Sequence, residues 1–241
     1  EGGNLHFATN GDFGGAEYFT SVAGAVGVTS SVVGNATFLG KLNSAANPVA
    51  DAAGNLNVYD RGGLMLASGE YDDNLDFNGA LINASSMSVA AHEAGSACVN
   101  CNTYTGVITP RTGDPNYRFG GGSGTLTLPG TGAIAGPYTA NQLNGARNVE
   151  ITNGGVVKIT NTNNYTGTTR IVAKYVNSLE RAGAEDTIFY NDGDIIPNTQ
   201  AYLGTTLTVT SLANGGSVSS IGNSSNAASN LYIQGSTLRY E

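Results

Sequence analysis

The chain has 241 residues, of which only 12% are charged, with ten basic and eighteen acidic side chains giving a net charge of −8. No cluster of Lys and Arg is present that would neutralise a run of phosphates or bind an anionic bilayer surface, and no apolar run approaches the roughly 20 residues of a membrane-spanning helix. Nucleic-acid partners and membrane insertion by this segment are therefore not expected, and 40% hydrophobic residues with 35 glycines spread end to end favour a packed, turn-rich chain over disorder.

In chain order, residues 5–7, 18–19, 25–33 and 36–39 read as short strands divided by Gly and Asn. A turn-rich connection over 47–55 precedes a second set at 56–59, 63–67, 74–77, 80–82 and 87–90. Over 91–124 the pattern loosens into a loop excursion that carries Cys98, Cys101, Pro110 and Pro115 and ends in Gly120-Gly-Gly-Ser-Gly124. Strands resume at 125–128, 148–151, 155–160 and 168–173. Segment 177–200 reads as a loop insertion with one or two helical turns, for which Ser178 is a candidate N-cap. From Thr205 onward, short alternating runs are separated by Asn, Gly and Ser turns at nearly even spacing, and nothing there has helical period.

Few charges, no tryptophan and many small polar turn residues suit an all-β fold, a parallel β-helix (solenoid) with loop insertions, over 1–241 as a single unit. Each coil would carry two or three strands, with apolar side chains inward and neighbouring coils about 4.8 Å apart. At roughly 20 to 25 residues per coil, by analogy with other solenoids, the chain supplies on the order of ten. A β-sandwich is the competitor, but the turns are too polar and irregular for two-residue hairpins. Asn102-Thr-Tyr-Thr-Gly106 and Asn163-Asn-Tyr-Thr-Gly167 form an internal echo. With no initiator Met and no signal-peptide pattern, the chain reads as processed or cut from something longer.

Tyr165-Thr-Gly-Thr-Thr, Leu212-Ala-Asn-Gly-Gly, Ser219-Ser-Ile-Gly, Asn226-Ala-Ala-Ser-Asn-Leu and Leu238-Arg-Tyr occur in that order. They resemble the autotransporter-associated β-strand repeat of large secreted bacterial surface proteins. The resemblance covers 154–241; before Gly124 it is one of texture alone. It implies a right-handed parallel β-helix, exported to the cell surface or beyond, often as a segment of a giant adhesin or fibre. The insertion over 177–200 is longer than a bare turn of such a coil needs, and the family fixes no catalytic residues.

An exported chain makes a short-range disulfide between Cys98 and Cys101 the leading reading of that pair. A redox pair lacks its βαβ setting, and a zinc site would have to recruit His92 and Glu93. Asp72, Asp73, Asn74, Asp76 and Asn78 set oxygen groups on alternating positions before Gly79, like the start of a calcium loop, yet Ser85 stands where its bidentate Glu would fall. A solvated turn is the competing reading, and Asp192 and Asp194 share the ambiguity. His6 and His92 have no recognisable nucleophile beside them. Tyr165, Tyr232 and Tyr240 suit core stacking or a sugar-binding strand surface. The sequons at Asn35 and Asn164 are read as incidental in a bacterial protein.

No catalytic, cofactor or metal residue is assigned. The leading expectation is a structural or adhesive surface protein that associates with itself through unpaired terminal strands or continues in a longer chain, with host or matrix glycans as possible ligands. The alternative is a polysaccharide lyase, glycosidase or glycan-binding module on the same scaffold, its acids being Asp72, Asp73 and Asp76.

Overall fold

The computed structural model describes residues 4–7, 25–28, 31–42, 62–66, 69–91, 102–114, 116–122, 124–129, 143–176 and 201–241. In chain order these hold the strands Asn4–Phe7 (β1) and Ala25–Val28 (β2), the short helix Ala36–Leu39 (α1), and the strands Gly63–Met65 (β3), Gly69–Tyr71 (β4), Leu75–Asp76 (β5), Ser88–Ala90 (β6), Asn102–Tyr104 (β7), Ile108–Thr109 (β8) and Asn116–Phe119 (β9). Thr125–Leu128 (β10), Asn148–Ile151 (β11), Gly155–Ile159 (β12), Thr169–Val172 (β13), Lys174–Val176 (β14), Ala201–Leu203 (β15), Thr205–Val209 (β16), Leu231–Gln234 (β17) and Thr237–Tyr240 (β18) follow.

Two sheets dominate. One runs β1-β2-β3-β6-β9-β11-β13-β17 and the other β18-β16-β12-β10-β7-β4. Every pairing within both is parallel; β14 and β15 form an antiparallel pair apart from them. The chain alternates between the two, from β3 to β4, β6 to β7, β9 to β10, β11 to β12 and β17 to β18. This is an all-β parallel arrangement with almost no helix. The antiparallel pairings of a hairpin-built sandwich are missing from both large sheets.

Register turns the alternating sequence into columns. In the first sheet Leu5, Val26, Leu64, Val89, Phe119, Ile151, Ile171 and Ile233 are successive partners, one per strand. All six inner members are buried, while Leu5 and Ile233 at the ends are 51% and 44% exposed. The second sheet answers with Leu126, Val157, Leu207 and Leu238, and with Tyr104, Leu128, Ile159, Val209 and Tyr240. Apart from the exposed Leu5, Ile233 and Tyr240 at their ends, these columns belong to or pack against one continuous core. Each fully buried Leu, Ile, Val or Phe contributes about 1.5–3 kcal/mol, so the columns are the main source of cohesion. A one-residue slip would turn a column outward and pins the register.

The opposite face of the first sheet is also covered near its start. Ala25, Met65 and Ala90 form a small second cluster there, and Ser88 Oγ donates to the carbonyls of Gly62 (3.1 Å) and Gly120 (2.8 Å). Asn153 Nδ2 joins them, donating to Ser88 Oγ at 2.8 Å and to the Gly62 carbonyl at 3.1 Å.

Several elements differ from the sequence reading. Residues 36–39 form a helical turn, because Asn35 Oδ1 accepts from the Phe38 amide at 3.0 Å and the turn buries Phe38 and Leu39 together. Of the run 25–33, Ala25–Val28 is strand while 31–33 is not, and 80–82 lies in turns leading into a 3-10 turn, Ile82–Ala84. Within 91–124, β7, β8 and β9 are each hydrogen-bonded into a sheet. The Asn-x-Tyr-Thr-Gly echo has no structural counterpart: Tyr104 lies on a strand of the second sheet, whereas Tyr165 lies in the turn before β13. The sequence separation between successive partners is irregular, shortest between Ile151 and Ile171 and longest between Ile171 and Ile233, and the first sheet has eight strands. The expected strands at 18–19 and 56–59, the insertion 177–200, and Cys98, Cys101, His92, Asp192 and Asp194 lie outside the described residues.

Candidate functional site

The acidic run is the first candidate; Asp72 is exposed, while the side-chain oxygens of Asp73, Asn74, Asp76 and Asn78 bond neighbouring chain. Asn74 Oδ1 accepts from the Val107 amide at 3.0 Å, and Asn78 Oδ1 accepts from the Thr112 amide at 3.0 Å. Asp76 Oδ1 accepts from the Asn78 amide two residues on, at 2.9 Å, and Asp73 Oδ2 accepts from the Ser31 hydroxyl. The alternation that imitates a calcium loop is that of the chain around β5, from which Asn74 and Asn78, on either side of the strand, reach across to the segment around β8. Among the described residues no three His, Cys, Asp or Glu side chains gather closely enough to hold a metal.

Beside this run the tyrosines act as posts. Tyr71 and Tyr104 are register partners whose rings stack with centroids 6.2 Å apart. The Tyr71 hydroxyl accepts from the Val32 amide at 2.9 Å, and the Tyr104 hydroxyl donates to the Asp73 carbonyl at 3.2 Å. Tyr165, fully buried, shares a 2.6 Å hydrogen bond with the Thr169 hydroxyl. Burial pushes the Tyr104 and Tyr165 hydroxyls well above their ordinary value. An alkaline weakness follows. A raised folded-state pKa contributes stability that is complete below the unfolded value of about 10 and is lost as pH rises beyond it. Urea unfolding between pH 10 and 12 should therefore show stability falling by about 1.4 kcal/mol per pH unit for each of these two residues. Tyr165→Phe should remove one share of that slope; an unchanged slope would contradict the burial argument.

A second cluster was not singled out from sequence. Ser88, Arg118, Glu150, Arg170 and Tyr232 are successive partners on the first sheet's outward face. Arg118 and Glu150 are only 7% and 4% exposed. Arg118 forks onto Asp114, Nη1 to Oδ2 at 2.7 Å and Nη2 to Oδ1 at 3.1 Å. Its Nε lies 3.2 Å from Glu150 Oε2, an ionic contact without hydrogen-bond alignment. At the far end the Arg170 guanidinium lies 5.2 Å over the Tyr232 ring. Burial opposes charge on Asp114, but the Arg118 fork and the Asn116 donors outweigh it and hold the carboxyl below the usual carboxylate range. The signal in the sequence was a charged residue followed by an apolar one on three consecutive partners, Arg118-Phe, Glu150-Ile and Arg170-Ile, with alternating sign. With Asp114 counted beside the row, two positive and two negative groups cancel, so it offers no net charge to a ligand.

The remaining predicted residues are scattered. His6 lies on β1, and Asn35 is a buried cap rather than an accessible sequon, while Asn164 is exposed. Tyr232 and Tyr240 are 43% and 64% exposed but lie on different sheets, on β17 and β18. Those two strands carry the largest run of exposed apolar groups among the described residues, with Leu231 and Ile233 open as well. A strand edge with no Pro and no charge on β17 is the most available surface here. Comparison with known proteins finds no matching family model, no similar curated protein and no similar solved structure.

Proposed function

We propose that this chain is a stiff structural or adhesive segment of an extracellular or bacterial cell-surface protein, a right-handed parallel β-helix of the autotransporter-associated β-strand repeat kind. The observation that carries the reading is the column from Leu5 to Ile233, one apolar side chain per parallel strand, closed inside and open at both ends. Parallel strands in one sheet need crossovers, and such crossovers are almost always right-handed. A rod built this way has a geometric mechanism: backbone ladders and stacked side chains resist bending, and loops decorate its flanks.

The open column supports a partner as well. A second copy, or further strands of the same polypeptide, can extend the first sheet by setting a strand such as β1 beside β17, so that Leu5 meets Ile233. The enzyme reading draws no support from Asp73, Asn74, Asp76 and Asn78, whose oxygen groups hold neighbouring chain. Electron microscopy and light scattering over a concentration series test the proposal. Rods that lengthen with concentration, and stop lengthening in Ile233→Lys, are expected. A compact particle whose mass and shape ignore both concentration and that substitution would overturn it.

A further inference from the structure

Asn-Gly is the dipeptide in which an asparagine amide is most open to attack by its own main chain, since glycine puts no side chain in the way. The chain repeats it at Asn78–Gly79, Asn144–Gly145, Asn153–Gly154 and Asn214–Gly215 among the described residues, and the fold treats the four differently. Asn153 Nδ2 is held by Ser88 Oγ and the Gly62 carbonyl, and the Gly154 amide donates to Thr205 Oγ1 at 3.1 Å. Asn78 Oδ1 is held by the Thr112 amide, and the Gly79 amide donates to the Asp76 carbonyl at 3.2 Å. Asn144 has its main chain pinned by the Tyr117 hydroxyl on one side and, through the Gly145 carbonyl, by the Arg147 and Thr166 amides on the other.

Asn214 shares with Asn144 a hydrogen-bonded carbonyl, but has none of the side-chain or glycine-amide bonds of Asn78 and Asn153. It is exposed, and neither its side chain nor the Gly215 amide has a hydrogen-bond partner. Its carbonyl accepts from the Ser217 amide at 3.0 Å, closing a turn in which Gly216 takes φ 82°. That is the type II geometry, in which the amide of the second residue points away unbonded. The attacking nitrogen and the amide carbon it would attack are therefore free of hydrogen bonds, although the Gly215 main chain packs against Ser225 and Asn226.

We propose that Asn214–Gly215 is a spontaneous modification site, at which the folded protein converts asparagine to aspartate and isoaspartate. The Gly215 nitrogen bonds to Asn214 Cγ and gives up its proton, the Cγ–Nδ2 bond breaks, and ammonia leaves, forming a cyclic imide. Water then opens the imide at either carbonyl. The product places a carboxylate in a groove of about 270 Å³ whose lining, including Ser217, Ser224, Asn226, Asn230 and Leu231, carries no charge. In the isoaspartate form an extra main-chain carbon enters the turn that is tied to the 224–226 segment by the Gly216 amide on the Ser224 carbonyl.

The test is peptide mapping by mass spectrometry after incubation at mildly alkaline pH, with the protein native and, in parallel, in concentrated urea. In urea the four dipeptides should react at comparable rates. In the native protein Asn214 should convert about as fast as in urea, Asn144 more slowly, and Asn78 and Asn153 slower than Asn214 by an order of magnitude or more. Asn214→Gln should abolish the dominant acidic product while leaving thermal unfolding unchanged. Native conversion at Asn214 as slow as at Asn153 would overturn the proposal, as would an acidic product that persists in Asn214→Gln.

Discussion

Gly120→Ala should cost more than about 4 kcal/mol or prevent folding, whereas Gly113→Ala should cost only about 1–2 kcal/mol. Both glycines have positive φ, 113° and 82°, so both alanines are strained. The difference is space. At Gly113 a Cβ meets nothing within 4 Å, but at Gly120 it runs into the Thr152 carbonyl oxygen, with the Gly154 carbonyl oxygen 3.2 Å away. Main chain cannot swing aside as a flexible side chain would. Gly120 is also committed on both sides, its amide donating to the Val89 carbonyl at 2.9 Å and its carbonyl accepting from Ser88 Oγ. Shifting it would break the contact between β6 and β9 and orphan the Ser88–Asn153 network, whose buried polar groups are costly to leave unpaired. Urea midpoints of the two variants check this. Equal and small losses would mean that the strand-end crossing at Gly120 is looser than described.

The same residues show what was legible in advance. The strands around Val149, Val157, Ile171 and Leu207 alternate cleanly, and both their existence and their parallel stacking followed from period and turn chemistry. The segment 36–39 alternates too, but a single Asn35 side chain decides it as a helical turn, and a local hydrogen bond outweighs four residues of pattern. The chain over 102–119 read as loop because its strands are only two to four residues long and broken by Pro110 and Pro115; their pairing comes from neighbouring strands rather than from propensity. At the acidic run the residue types were legible and their hydrogen-bond partners were not. Carboxylate and amide oxygens two residues apart suit a cation or a neighbouring strand equally, and only the position of Val107 and Thr112 distinguishes these. The charged row required register knowledge, since Arg118, Glu150 and Arg170 meet only once three strands are aligned.

That row carries the other large effect. Arg118→Met should lose about 3–5 kcal/mol, because it strands Glu150 and Asp114 without the guanidinium that both face. Arg170, the register partner of Glu150 on its other side, keeps the loss toward the lower end. The pair itself is a poor source of net stability: the cost of drying two charges offsets most of their attraction. Arg118→Met combined with Glu150→Met should therefore recover most of what the single change loses, a coupling that a double-mutant cycle in urea measures directly. The acid limb gives an independent reading. Because Asp114 is held below its ordinary value, its contribution is present above a pH of about 3.9 and is lost as pH falls through the folded-state value. In Arg118→Met that loss on acidification should shrink to what the Asn116 donors still hold. Additive losses in the cycle, together with an acid limb unchanged from the parent chain, would show that the buried row is packed by its aliphatic stems and not by its charges.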